Sequence, residues 1–223
     1  MLVVHHLNNS RSQRVLWLLE ELGLDYEVRH YQRDPKTMRA PLELREVHPL
    51  GKSPVVTDGA TVLAETGAII DYLVNRDGER RLTPEPGSAD HLRFVYFMHY
   101  AEGSAMPPLL MKLVFDKIAA APVPFFVKPV VKGIVAKVSA DFITPQLKNH
   151  LDFLEAELAD RPWFAGQEFS AADVQMSFPL EAAAQRAGLD ESRPRLMDFL
   201  RRIHARPAYR RALERGGPYA FAK

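Results

Sequence analysis

The chain has 223 residues, 47% hydrophobic, with 29 Lys+Arg against 28 Asp+Glu. That length holds one large domain or two small ones, and a formal net charge of +1 argues against a nucleic-acid binder driven by bulk electrostatics. Cysteine is absent, which excludes disulfide staples, a CxxC redox motif and thiolate metal sites. Any thiol chemistry therefore needs a thiol that arrives with the ligand. The N-terminus shows no basic stretch followed by an apolar one, so no signal peptide is expected. No run of 18 apolar residues predicts a membrane span.

Leu2–Leu7 is a short apolar run that reads as a buried strand. Asn8-Asn9-Ser10 is a turn with good helix-cap residues. The helix that follows, Arg14–Leu22, is apolar on more than one face and stops at Gly23. Tyr26–Tyr31 alternates as a strand does, Gln32–Met38 reads as a loop and Pro41–Val47 as a short helix. Pro54–Thr57, the turn Asp58-Gly59 and Thr61–Leu63 make a hairpin, because Asp-Gly is a strong hairpin signal. Glu65-Thr66 opens an apolar helix to about Asn75. A strand–helix–strand start implies a parallel pair, and the hairpin adds antiparallel strands, so a mixed sheet with helices on its faces is expected.

Beyond a charged stretch rich in Pro and Gly, Arg76–Ser88, strand signals mostly stop. Ala89–Phe115 is helical, with a kink or break predicted at Pro107-Pro108. Ile118–Ser139 is apolar and studded with prolines. Asp141–Leu158 carries Leu147, Leu151, Leu154 and Leu158 at helical spacing. Ser170–Gly188, Pro194–Ala205 and Pro207–Gly216 complete an all-α second part. The fold class is thus α/β followed by all-α. Residues 1–80 form the first domain, 81–88 the linker and 89–223 the helical domain.

Several stretches are candidates for chemistry. Pro54 lacks an N–H and suits the start of a strand, and it pushes Ser53 toward extended backbone. A loop of this kind, Leu50–Val56, offers main chain to an extended peptide that binds by adding to the sheet. Ser10, between a strand and a helix, is either a helix cap or a hydroxyl donor at a helix N-terminus. Glu65 and Thr66 are either plain capping residues or a receptor for a ligand's ammonium and carboxylate. Ser170 and Asp173 make an S-x-x-D capping box with Phe169 as its staple, and a structural role is expected. The histidines form no i, i+4 pair, so no metal site is expected. The arginines from 193 to 215 read as a solvated face. Phe125–Val135 is apolar and basic. It reads as a lid over an apolar pocket or as dimer packing, with contact to a membrane surface as the other reading.

Four of these stretches, in this order, resemble the soluble glutathione transferases over essentially the whole chain. Asn8–Arg14 resembles the serine-type active-site turn, and His48–Val55 the loop whose proline is cis. Glu65–Ile69 resembles the Glu-Ser/Thr motif that holds the γ-glutamyl end of glutathione, and Phe169–Asp173 the cap of the helical domain. The first motif and the Pro122–Val138 segment look most like a bacterial and fungal branch.

The resemblance implies an N-terminal thioredoxin-like domain, a C-terminal helical bundle, and glutathione as co-substrate with no metal. Ser10 would then stabilise the thiolate, with Asn9 and Ser12 as rival donors and Arg14 orienting the site. Lys52 and Arg39 would pair with the glycyl carboxylate, Ser53 and Pro54 would present main chain, and Glu65-Thr66 would hold the γ-glutamyl group. Glu102 would reach across from the partner subunit. Tyr100, Met106, Leu110, Met111 and Phe115 are implied for the pocket of a hydrophobic electrophile or a peroxide. The implied setting is a cytoplasmic homodimer. The rival is a non-catalytic ligand-binding or regulatory protein on the same fold.

Overall fold

In the computed structural model, which describes residues 1–76 and 79–222, four strands form a mixed sheet ordered β2-β1-β3-β4. β1 (Leu2–Leu7) and β2 (Tyr26–Tyr31) pair in parallel, from Leu2 opposite Tyr26 to Leu7 opposite Tyr31. β3 (Val55–Asp58) is antiparallel to β1, and β4 (Thr61–Ala64) is antiparallel to β3. A parallel pair needs a crossover, and α1 (Ser12–Leu22) provides it. The Asp58-Gly59 signal is fulfilled by a hairpin in which Gly59 takes a positive φ of 59°, a conformation that costs glycine little. The Ser53–Pro54 peptide is cis.

The apolar excess of α1 has a structural cause. The helix touches β1, α3 (Thr66–Asn75), α8 (Ala171–Arg186) and α10 (Pro207–Gly216). Val15, Leu16, Trp17, Leu18 and Leu19 are all fully buried. A helix apolar on every side is a core helix, and this one lies where the two halves of the chain meet. Gly23 ends it in the left-handed region, with φ 64° and its N–H on the Leu19 carbonyl. The short helix α2 (Glu43–Val47) anchors the loop before β3 through fully buried Leu44.

The helical half runs α4 (Ala89–Tyr100), α5 (Met106–Ala120), α6 (Lys128–Val138), α7 (Thr144–Glu157), α8, α9 (Pro194–Ala205) and α10. The break predicted at Pro107-Pro108 falls earlier, as a π-helical turn over Ala101–Ala105. The prolines sit in the first turn of α5, where a missing N–H costs no hydrogen bond. A helix over Lys128–Val138 was not expected from that proline-rich stretch. Pro129 again occupies a first turn. Phe125 and Phe126, just before it, are exposed.

The reading of the C-terminal arginines as a solvated face holds for Arg195, Arg201 and Arg210, which are exposed, but three others are engaged. Arg206 pairs with Glu21 at 2.5 Å and Arg211 with Glu20 at 2.7 Å, while Arg215 donates to the Tyr26 carbonyl at 2.6 Å. Arg215 also lies 3.7 Å over the Tyr26 ring. These residues staple α10 to α1 and β2. The expected linker is tied down as well, since the Ala171 N–H donates to the Leu82 carbonyl. Asp77 and Gly78 of the expected first domain lie outside the described residues.

Ser170 and Asp173 form the reciprocal cap. Asp173 accepts from the Ser170 N–H at 2.8 Å and the Phe164 N–H at 2.9 Å. Burial pushes its carboxyl up to about 6 against those bonds. Replacing Asp173 with alanine leaves two buried N–H groups unpaired. The expected loss is about 1–3 kcal/mol in urea unfolding. An unchanged midpoint would show that the cap does not hold α8.

Candidate active site

The turn after β1 is built by its own side chains. Asn8 Oδ1 accepts from the Arg33 N–H at 2.8 Å. Asn9 has φ 50°, which asparagine tolerates better than most residues, and its Oδ1 accepts from the Ala220 N–H at 2.8 Å. The C-terminal tail is thereby pinned to this turn. Ser10 is only 4% exposed. Its Oγ lies 2.7 Å from Ser12 Oγ, 3.2 Å from the Ser12 N–H and 3.3 Å from Ser53 Oγ. Ser53 Oγ in turn donates to the His5 carbonyl at 3.0 Å and accepts from the Leu7 N–H at 3.3 Å.

Ser12 Oγ is 2.9 Å from His6 Nδ1. Burial, then the charge of His30, lowers the His6 pKa to about 4, against a hydrogen bond to the Gly216 backbone. His6 is therefore neutral at neutral pH, with one ring nitrogen a donor and the other an acceptor. Ser12 Oγ thus bridges His6 Nδ1 and Ser10 Oγ, while Ser10 Oγ donates to Ser53 Oγ at 3.3 Å. The Ser10 hydroxyl is held between Ser12 and Ser53.

Beside the turn lies a charge cluster. Arg14 is fully buried and donates to the Gln175 carbonyl at 2.6 Å, Glu102 Oε1 at 2.5 Å and Thr66 Oγ1 at 3.2 Å. Arg11 Nε reaches both Glu102 oxygens at 3.0 Å. Burial raises the Glu102 carboxyl pKa, but the charges of Arg14 and Arg11 and their hydrogen bonds hold it below the ordinary value. Two guanidiniums against one carboxylate leave a net positive charge at the start of α1. Thr66 opens α3, where Glu65, with φ 69°, makes no side-chain cap.

Two clefts meet at this cluster. The first, of about 620 Å³, lies under the loop before β3 and is lined by Gly51, Lys52 and Ser53 with Arg11, Arg33, Arg39 and Arg45. The second, of about 520 Å³, is bounded by the Asn8–Asn9 turn, α5, α8 and the tail, with Met106, Leu109, Leu110, Leu113, Phe178 and Phe221 on its walls. Arg11, Arg33 and Met38 line both. A polar, strongly cationic chamber thus opens beside an apolar one.

Comparison with known sequences decides the family. The N-terminal-domain model of glutathione S-transferases matches residues 1–75, and the C-terminal-domain model residues 116–207. The chain is 34% identical over 215 residues to glutathione S-transferase 3 of Schizosaccharomyces pombe, covering 96% of this chain and 88% of that protein. It is also 34% identical over 222 residues to glutathione S-transferase 1 of Saccharomyces cerevisiae, covering 95% and 94%. The chain belongs to the glutathione S-transferase family. A glutathione S-transferase structure from Actinobacillus pleuropneumoniae superposes with a TM-score of 0.84 at 33% identity, over 100% of this chain and 96% of that one. A sphingomonad glutathione S-transferase complexed with glutathione gives 0.70 at 26% identity, over 96% and 98%. The family's co-substrate is glutathione.

In this glutathione S-transferase, Lys52, Ser53 and Arg39 share the cationic cleft. Met106 and Leu110 line the apolar one, and Asn9 edges it. Tyr100, Met111 and Phe115 do not. Tyr100 is buried among Tyr96, Phe97 and Phe153 and bonds His150 at 2.5 Å, while Met111 and Phe115 pack on the core. Glu65 and Thr66 sit at the α3 N-terminus, off both cleft walls. Glu102, expected to serve a partner, is engaged within its own chain by Arg11 and Arg14. Ser10 lines neither cleft. The sequence reading did not single out Arg11, Arg33, Arg45 or Phe178. Arg11 was adjacent to the candidate serine in the same turn, but nothing in the spacing of Phe178 signalled it.

The His6 linkage is testable. Its folded pKa of about 4 lies below the unfolded value of 6.5. Between these values the unfolded chain binds the proton more tightly, so this contribution is full above pH 6.5 and is lost as pH falls toward 4, by at most about 3 kcal/mol. Urea midpoints at pH 7.5 and 5.0 should fall further for the wild type than for His6→Gln. An equal drop in both would remove His6 from the acid sensitivity.

Proposed function

We propose that this transferase activates the thiol of glutathione in the cationic cleft and delivers the thiolate to an electrophile held in the apolar one. The observation that carries the reading is the junction of the two clefts at Arg11, at the start of α1. Glutathione is a tripeptide with two carboxylates, one ammonium and net charge −1, which suits an acid-free chamber lined by arginine and lysine. Lys52 and Arg39 take the glycyl carboxylate, and the main chain of Ser53, ahead of Pro54, pairs with the cysteinyl residue. The γ-glutamyl end extends beyond the cleft wall to the α3 N-terminus, where Thr66 receives its carboxylate and Glu65 takes its ammonium. The carbon–sulfur bond forms as the leaving group departs with its electron pair. With a peroxide, the sulfur attacks one peroxide oxygen, the O–O bond breaks with the alcohol leaving, and a second glutathione thiol converts the sulfenic acid to the disulfide and water.

A glutathione thiol has a pKa of about 8.5, and lowering it by two units needs about 2.7 kcal/mol of preferential thiolate stabilisation. The sequence assigned that task to the Ser10 hydroxyl. Ser10 is buried, engaged by Ser12 and Ser53 and on neither cleft wall, so we assign the charge to Arg11 and the α1 N-terminus and give Ser10 a positioning role. A helix N-terminus contributes about 0.3–1 kcal/mol, and one unit charge at about 4 Å and an effective dielectric of 20 contributes about 4. Half offset by Glu102, Arg11 contributes about 2 kcal/mol, and the helix N-terminus brings the sum to about 2.3–3, so the two are needed together.

Glutathione is kept as the thiol in the cytosol, which supports a cytoplasmic setting. Exposed Leu92, Val95 and Tyr96 on α4, with Val114 and Ile118 on α5, support a homodimer, since such faces mark protein contacts. Leu92→Glu with Tyr96→Glu should halve the mass seen by light scattering. A wild type that is monomeric at micromolar concentration would refute the dimer.

The experiment on mechanism is the pH profile of kcat/KM for glutathione with an aryl halide. Arg11→Ala should move the acid limb upward by one unit or more. Ser10→Ala should leave the limb in place while raising KM. The opposite pattern would return the sulfur to Ser10. Failure of the wild type to bind immobilised glutathione would sink the functional reading itself.

A further inference from the structure

The apolar cleft holds a second message. Sixteen residues line it, and four are cationic, Arg11, Arg33, Lys117 and Arg186, with no aspartate or glutamate among them. The chain as a whole balances 29 basic residues against 28 acidic ones, so a wall of one sign departs from its own composition. Arg11 is answered by Glu102. The other three make no ion pair with a carboxylate among the described residues. Arg33 is held by the Asn8 and Met38 carbonyls at 3.2 and 3.1 Å, contacts that leave its charge intact. Arg186 lies 4.9 Å over the Phe221 ring. Lys117 stands exposed one turn beyond Leu113, and the neighbouring Asp116 is occupied by Lys112.

Arg11 and Arg33 also face the glutathione chamber, so the co-substrate's carboxylates meet them first. Lys117 and Arg186 line only the apolar cleft. They would remain uncompensated when glutathione is bound, beside Leu109, Leu113 and Phe178. A neutral apolar ligand gives two such cations no counter-charge. A ligand with an apolar body and one anionic group satisfies both the wall and its rim.

We infer that the electrophile carries an anionic group, a carboxylate or its equivalent, read by Lys117 and Arg186. This rests on the transferase reading and names the substrate class of that same site. The field of the rim also steers such a ligand inward, an effect that weakens with salt.

The test uses 4-chloro-3-nitrobenzoate and its uncharged methyl ester with reduced glutathione. In both, sulfur bonds to the ring carbon, chloride leaves with the bonding pair and the thiol proton passes to solvent. Each kcat/KM is divided by the uncatalysed rate constant for the same compound, which removes their intrinsic reactivity. The acid should then exceed the ester by about tenfold at low salt, and the excess should shrink by 0.3 M NaCl. Lys117→Ala with Arg186→Ala should bring the ratio to about one, and Lys117→Arg should retain it. The ratio is insensitive to a general loss of turnover, so damage to folding does not imitate the result. A wild-type ratio near one overturns the inference. A high ratio that survives the double substitution overturns its assignment to these two residues. Conjugation of neither compound sinks the transferase reading instead.

Discussion

The arrangement depends on one buried cation. Arg14, almost without solvent contact, joins the first helix of the sheet domain to Thr66 at the start of α3, to the Gln175 carbonyl of α8, and to Glu102 between α4 and α5. Burying a guanidinium is tolerable only when its donors are met. Here Nη1 and Nη2 find partners from both halves of the chain, while the buried Nε has none among the described residues. Removing one partner of such a pair strands the other charge, at a cost of about 3–5 kcal/mol. The same bonds that make Arg14 tolerable fix where α3 begins, where Glu102 points, and hence where Arg11 is held.

This explains why the two domains act as a unit around the site. α1 has no solvent face to spare. Trp17 packs edge-on to Tyr209 of α10, 5.2 Å between ring centres, and Gly216 fits where an added Cβ would lie 2.7 Å from Gln13 Oε1 and 2.9 Å from Leu16 Cδ1. The arginines of α10 close the seam on the outside through Glu20, Glu21 and Tyr26. The tail then continues to Asn9, where the Ala220 N–H completes the turn that carries Ser10 and Arg11. The C-terminus is part of the active-site wall because the helix before it is locked to the first helix of the chain.

How much of this could be read from the sequence follows from range. The strands, the Asp-Gly hairpin, the Gly23 stop and the Ser170–Asp173 cap are local: each is decided by residues within a few positions, and each was legible. The helix at Lys128–Val138 was hidden because prolines in its first turn resemble prolines that forbid a helix. Arg206, Arg211 and Arg215 looked solvated because their acidic partners lie far away in the sequence, at positions 20 and 21, or are a backbone carbonyl at 26. Ser10 shows the limit most clearly. Its place between strand and helix was correctly seen, but its hydroxyl is engaged by Ser53, 43 residues away, as well as by Ser12, and no local pattern records that.

Those same buried groups fix the charge state of the site. Glu102 is held ionised by Arg14 and Arg11, against the pull of its own burial. His6 is held neutral down to about pH 4, and arginines keep their protons throughout. None of these changes charge between pH 5 and 8. The positive potential at the start of α1 is therefore constant over the range in which glutathione's thiol titrates. A chain without cysteine has no competing thiol there. On the proposed mechanism, the pH dependence of the chemistry belongs to the sulfur of the bound ligand, with the protein acting as a fixed field: one unit of positive charge left over from two arginines and one glutamate, set beside an apolar chamber.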